Sequence, residues 1–144
     1  MTQEEKMLLI KDLSARLPYA VTVEHTSGFR GTLHDLTTLH LYNENDIEDI
    51  DCGIHFFGDE DWFSVEYFKP YLFPMSSMTE EQKEEYHYIV NYISPDDTEN
   101  WAEGEFVYVN QIEQLLHFYH TNHFDFRGLI EKGLAIDATG LNIY

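Results

Sequence analysis

The sequence predicts an α+β fold. It reads as an N-terminal helix, about five short antiparallel strands forming an SH3-like or Sm-like small barrel or a curled sheet, then two helices and a C-terminal clasp. Three observations carry this expectation. Apolar residues recur at helical spacing near the start of the chain. The period then falls to two and stays there to about residue 68. After residue 78 two further stretches combine a capping signature with helical periodicity.

Residues 2–17 form the first helix. Thr2 and Glu5 have capping-box spacing, Leu9, Leu13 and Leu17 with Ile10 make the apolar stripe, and Pro18 stops it. Val21 and Val23 alternate with Thr22 and Glu24, and SGFRG at 27–31 is a turn. TLHDL at 32–36, TLHLY at 38–42, CGIHFF at 52–57 and WFSVEYF at 62–68 are the other strands. NENDIEDID at 43–51 reads as a loop or sheet edge. KPYLFPMSS at 69–77 reads as a connector, because Pro70 and Pro74 cannot donate to a ladder. Thr79 and Gln82 open a helix over 80–93, with Tyr86, Ile89, Val90 and Ile93 as its apolar stripe. PDDTENWAEGE at 95–105 reads as an acidic loop and FVYV at 106–109 as a short strand. Asn110 with Glu113 opens a third helix, 111–122, that turns Ile112, Leu115, Leu116 and Tyr119 inward. The expectation is one domain over 1–144, with a strand-rich half to residue 75 and a helical half from 76 packed on it.

The 144 residues hold 27 acidic and 8 basic side chains, a net charge of −19. Residues 44–105 account for −16 of it, with Lys69 and Lys83 as their only cations. Phosphate binding needs clustered Lys and Arg, so direct contact with nucleic acid or an anionic membrane is disfavoured, and a basic protein surface is the partner such a field would steer in. Aromatic residues make up 15% of the chain, which argues for a packed core and against disorder. Cys52 is the single cysteine, so no internal disulfide forms. The absence of a long apolar run and the acidic N-terminal stretch make a cytoplasmic protein the expectation.

The stretch HFDFRGLIEKGLAIDA, residues 123–138, reads as a structural clasp built on Asp125, Arg127, Gly128 and Leu129. Asp125 has the position of an N-cap for a short turn at 127–132 and is the carboxylate nearest Arg127 in sequence. Leu129 is a core residue, Gly128 allows close backbone approach, and Gly133 ends the turn in a left-handed conformation. Together KPYLFPMSSMTEEQK and FDFRGLIEKGLAIDA resemble a family of proteins of unknown function from gut Bacteroidetes genomes, often in phage-like regions. The resemblance covers most of the chain and implies a bacterial or phage-encoded setting. It carries over no activity, so no residue inherits a role.

Eight histidines supply the remaining chemistry. His120, His123 and Asp125 are a candidate metal set, although the spacing is not that of a zinc motif. His25, His34 and His40 fall on successive predicted strands, with Ser27 and Cys52 as candidate nucleophiles. No nucleophile elbow, cysteine motif or phosphate-binding glycine loop accompanies them. No cofactor is expected. The leading expectation is a non-enzymatic protein-interaction module. An acidic DNA mimic that blocks a nucleic-acid-binding protein is the alternative, and carboxylates at regular spacing on a rigid element would favour it. A small histidine-dependent hydrolase or metal protein is the third.

Overall fold

A computed structural model describes residues 1–42, 48–56, 63–91 and 101–144, with side chains over 1–34, 63–91 and 111–144. The chain divides into two compact units. Met1–Leu72 and Arg127–Tyr144 form the first, and Phe73–Phe126 the second. The fold is α+β, with one helix and the strands in the first unit and two helices in the second.

The first unit opens with α1, Gln3–Arg16. Its capping box is complete: Thr2 Oγ1 accepts from the Glu5 N–H at 3.2 Å, and the Glu5 carboxylate accepts from the Thr2 N–H at 2.7 Å. A 3-10 turn holding Pro18 follows at Leu17–Tyr19 and ends on Ala20 in the left-handed region. The strands are β1 (Thr22–His25), β2 (Arg30–Tyr42), β3 (Glu48–Phe56), β4 (Phe63–Ser64), β5 (Phe68–Leu72) and β6 (Ile136–Asp137). They lie in the order β4-β3-β2-β1-β5-β6, antiparallel except for the parallel β5–β6 pair.

The sheet is not a closed barrel. β4 and β6 are its two edges, and they do not pair with each other among the described residues. Both are two residues long, and short edges offer little backbone to a stray strand. TLHDL and TLHLY are one strand rather than two. β2 pairs with β1 over Arg30–Thr32 and with β3 from Leu33 onward, and the β2–β3 ladder shifts register between Leu33 and Asp35. The end of the acidic run, 48–51, belongs to β3 rather than to a loop. WFSVEYF gives only a two-residue strand before a 3-10 turn at Val65–Tyr67.

The connector over 69–77 is also corrected. Its first residues belong to β5, an internal strand containing Pro70. Alternation explains the tolerance. Tyr67 O accepts from the Thr26 N–H on the β1 side, while Leu72 O accepts from the Ala138 N–H on the β6 side. Pro70 shares the orientation of Leu72, and β6 starts pairing only at Tyr71. The missing N–H therefore faces a position where no rung exists.

The core joins Leu9 and Leu13 of α1 to Val21, Val23, Leu33, Val65, Phe68 and Leu72 from the sheet side, and to Leu129, Leu134 and Ala135 from the returning segment. Beside it lies a buried ion cluster. Asp12 and Arg16 are both 0% exposed. Arg16 donates from Nε at 2.7 Å and from Nη2 at 3.2 Å to the two Asp12 oxygens, and Arg127 Nη1 donates to Asp12 Oδ1 at 2.6 Å. Asp12, a carboxylate that the sequence reading did not single out, thus receives Arg127.

Tyr144 closes the end of the β1–β5 ladder. The next rung would set Thr22 against Tyr71. There the Tyr144 hydroxyl accepts from the Thr22 N–H at 3.1 Å and donates to Tyr71 O at 2.7 Å. Burial pushes its pKa up to about 12, with the Thr22 N–H and the Arg16 charge acting the other way.

The second unit is an αα-hairpin with a closing strap. α2 spans Glu80–Asn91 and α3 spans Trp101–Thr121. The expected capping box of α2 is present: the Thr79 N–H donates to Gln82 Oε1 at 2.9 Å, and the Gln82 N–H to Thr79 Oγ1 at 3.2 Å. The Gln82 amide bonds Asn122 at 3.0 Å, and Tyr86 meets Phe118 and Tyr119, which fixes the helices as antiparallel. Ile89, Phe118 and Phe124 form the buried core. The ends of the unit meet, because the Phe73 N–H donates to His123 O and the Asp125 N–H to Phe73 O. Ile93 and Ser94-Pro95 lie outside the described residues.

α3 starts ten residues before the helix expected at 111, so the FVYV strand and the Asn110 cap both fall inside it. Strand propensity over four residues depends on ladder partners. A helix that is already nucleated adds a hydrogen bond per residue, against a propensity penalty well below ~1 kcal/mol for valine.

The ion cluster sets the expected order of damage in urea unfolding. Asp12→Ala removes the carboxylate that two guanidinia share and should cost ~3–5 kcal/mol. Arg127→Ala leaves Asp12 with Arg16 and should cost ~1.5–3 kcal/mol, the worth of a charged hydrogen bond. Leu129→Ala, in the core, should cost ~2–5 kcal/mol. Unchanged midpoints for Arg127→Ala and Leu129→Ala would remove the structural role of this stretch.

The Tyr144 hydroxyl gives an alkaline signature. Its folded pKa exceeds the ordinary value of 10.0, so the stability it adds is complete below pH ~10 and is lost as pH rises towards ~12. Tyr119, also pushed to about 12 by burial and by Tyr86, contributes in the same window. Tyr144→Phe should therefore flatten the fall of melting temperature above pH ~10 without abolishing it. A fall as steep as in the parent would show that the hydroxyl does not act in the ladder.

Candidate functional site: the surface of the helical hairpin

The residues of the sequence-predicted stretch divide between the two units. Phe124, Asp125 and Phe126 belong to the second, and Arg127, Gly128 and Leu129 to the first. Leu129 is fully buried in the core. Residues 127–132 are turns, and Gly133 ends them with φ +70 while Leu134 N–H donates to Leu129 O. Gly128 also has φ +70, and a Cβ built there meets nothing within 4 Å. Its glycine serves the left-handed backbone rather than the close approach expected.

His120, His123 and Asp125 do not form a metal centre. Among the described residues no group of three or more His, Cys, Asp or Glu is placed to hold an ion. His120 is buried with its ring edge-on to Phe126 at 5.4 Å, and His123 takes φ +55 where the chain leaves α3. Both have places in the packing of that exit.

The strand histidines separate too. His25 Nδ1 lies 2.8 Å from Ser27 Oγ and accepts from the Ser27 N–H at 3.1 Å. The contact is local, across the turn that links β1 to β2, and the imidazole sits among Phe63, Tyr67 and Phe68. The turn is completed by the His25 N–H to Phe29 O and the Gly28 N–H to His25 O, with Gly28 at φ +86. His34 is exposed, on β2. The side chains of His40 and Cys52 lie outside the described residues. The Ser27–His25 pair is accounted for as turn geometry.

The second unit holds eleven acidic residues against one lysine, Lys83. Lys83 donates to Glu80 at 2.8 Å, which lowers the Glu80 pKa from its ordinary value. Glu80, Glu81, Glu84 and Glu85 all stand exposed on α2. They load the first turns, where the positive end of the helix dipole favours them. In β3, Glu48, Asp49 and Asp51 occupy strand positions paired in register with Tyr42, Leu41 and Leu39.

Of the four residues expected inward on α3, Leu115 and Tyr119 pack against the hairpin core and the other two do not. Ile112 and Leu116, expected inward, are 54% and 36% exposed. Gln111 is 4% exposed, and neither its Oε1 nor its Nε2 has a hydrogen-bond partner among the described residues. The inward side carries Gln111, Leu115, Phe118, Tyr119 and Asn122. Neighbours on a helix are ~100° apart, so at this turn the burial of Gln111 carries Ile112 away from the seam.

Comparison with protein-family models, with curated proteins and with solved structures finds no match. Among the described residues no helix is long and apolar enough to cross a membrane.

Gln111→Leu tests this seam. It replaces a buried amide that has no partner among the described residues with a group of similar size, and the urea midpoint should rise by the equivalent of ~1–3 kcal/mol. A fall would mean that the amide is satisfied where it sits.

Proposed function

We propose that the chain is a non-enzymatic protein-interaction module of bacterial or phage-like origin, and that its partner presents a basic surface. The observation that carries this reading is the second unit. Its sequence holds eleven acidic residues against one lysine, which is paired with Glu80, and four of the acids stand exposed on one regular helix. Such a field steers a cationic partner and raises its association rate, more strongly at low salt. Lysine and arginine are too few to neutralise a phosphate backbone, which speaks against direct nucleic-acid binding.

A second reading makes the chain an acidic mimic of nucleic acid. It is favoured by the four glutamates exposed on the regular helix α2, and the acidic residues Glu48, Asp49 and Asp51 fall within strand β3. The two readings differ in the partner's identity.

Affinity capture from an extract of the native host, at low and at high salt, separates them. A basic protein retained at low salt is the expected result. A captured DNA-binding protein that exogenous DNA displaces would select the mimic. A partner held equally well in ~1 M salt, where the Debye length is ~3 Å, would overturn the electrostatic basis of both readings.

A further inference from the structure

Three features reach beyond the reading above. The Ser27–His25 contact is explained by its turn. The buried guanidinia are explained by Asp12. The third is the outward face of α3, which neither the core nor the charge pattern accounts for.

We infer that Ile112 and Leu116 of α3 are the apolar anchors of a docking site for a cationic amphipathic segment of a partner protein. This rests on the interaction-module reading and specifies its surface. Ile112 and Leu116 are one turn apart on one face, while Tyr119 at the next turn packs against Tyr86 and Phe126. From 112 to 116 this is ~6 Å of helix, enough to meet one turn of an apposed amphipathic helix. The exposure of two large aliphatic groups is paired with the burial beside them of a glutamine whose amide has no partner among the described residues. Rotating α3 by one residue would bury the isoleucine and free the amide, and the fold does not take that arrangement. A partner that covers Ile112 and Leu116 makes the observed rotation the favourable one.

Charge selects the occupant. Glu113 stands exposed next to the anchors, and the unit that carries them has eleven acids and one paired lysine. A second copy would set two chains of net charge −19 against each other. An apolar face flanked by lysine or arginine meets the surface with opposite charge and adds steering to the hydrophobic contact.

The probe is a fluorescein-labelled helical peptide of leucine and lysine, about four turns long, titrated with the full chain. A leucine–glutamate peptide of the same pattern is the control. The variant is Ile112→Gln/Leu116→Gln, which keeps good helix formers at exposed positions, with Leu141→Gln as an exposed substitution in the other unit. Ile112→Gln alone serves if the double variant loses its cooperative urea transition. The double variant should weaken the lysine peptide about tenfold or more, the single variant by a smaller factor, and Leu141→Gln should leave Kd unchanged. An unchanged Kd in the Ile112 variants would reduce the contact to charge and overturn the site. Equal binding of the glutamate peptide would overturn the cationic partner. Sedimentation as a dimer that the double variant dissociates would make a second copy the occupant and overturn it as well. A host partner captured equally by parent and double variant would leave the module reading intact and remove this surface. Loss of peptide affinity with no salt-sensitive host partner would do the reverse.

Discussion

The first unit depends on how the Asp12 carboxylate is satisfied. A fully buried charge is costly unless opposite charge and hydrogen bonds surround it. Asp12 receives three bonds from two guanidinia, one from four residues along its own helix and one from 115 residues away. Arg16 stands in the last turn of α1, where the helix dipole adds partial negative charge to the surroundings of its guanidinium. This cluster ties α1 to the returning segment within one core. The apolar residues of that segment, Leu129, Leu134 and Ala135, take their places around Leu9 and Leu13 because Arg127 fixes where the segment begins.

Much of this architecture was legible in the sequence. Both capping boxes, at Thr2 and Thr79, form with the bonds their spacing predicts. The change of period after Pro18 correctly announced strands. The partner of Arg127 was not legible, because proximity in sequence says little about a contact made across 115 residues. One signal was available. Asp12 and Arg16 are four apart and lie at helical spacing from Leu9 and Leu13, so an ion pair was placed on the flank of the apolar stripe. The open sheet was not legible either, since alternation reports that strands exist but not whether their ends meet. Pro70 misled for a related reason. A proline excludes a rung only on the side its nitrogen faces, and the sequence does not say which side that is.

The candidate surface failed to show for a different physical reason. Hydrophobic periodicity assumes that apolar side chains turn inward. Over 111–119 two stripes compete. One runs through Ile112 and Leu116, and the more polar one runs through Gln111, Leu115 and Phe118. The fold places Phe118 against Tyr86 and Phe124, and those aromatic contacts outweigh the burial of one isoleucine. Asn122 continues the chosen stripe by bonding to Gln82 and, through Nδ2, to Phe118 O. The glutamine is carried into the seam by its neighbours.

The connectivity gives that exposed surface a particular freedom. Phe73 pairs with Phe124, so the second unit leaves and rejoins the chain at adjacent points. Its two junction residues are held by the first unit's own contacts, Leu72 through the Ala138 N–H and Arg127 through Asp12. The residues that hold the ion cluster and those that expose Ile112 and Leu116 therefore belong to separate cores, one built on leucines and valines and the other on aromatic rings. An insertion whose ends meet can change its outward side chains without changing what the surrounding unit must bury. The acidic helix and the apolar face of α3 sit on the inserted unit, where the stability of the ion-pinned sheet places the fewest demands on them.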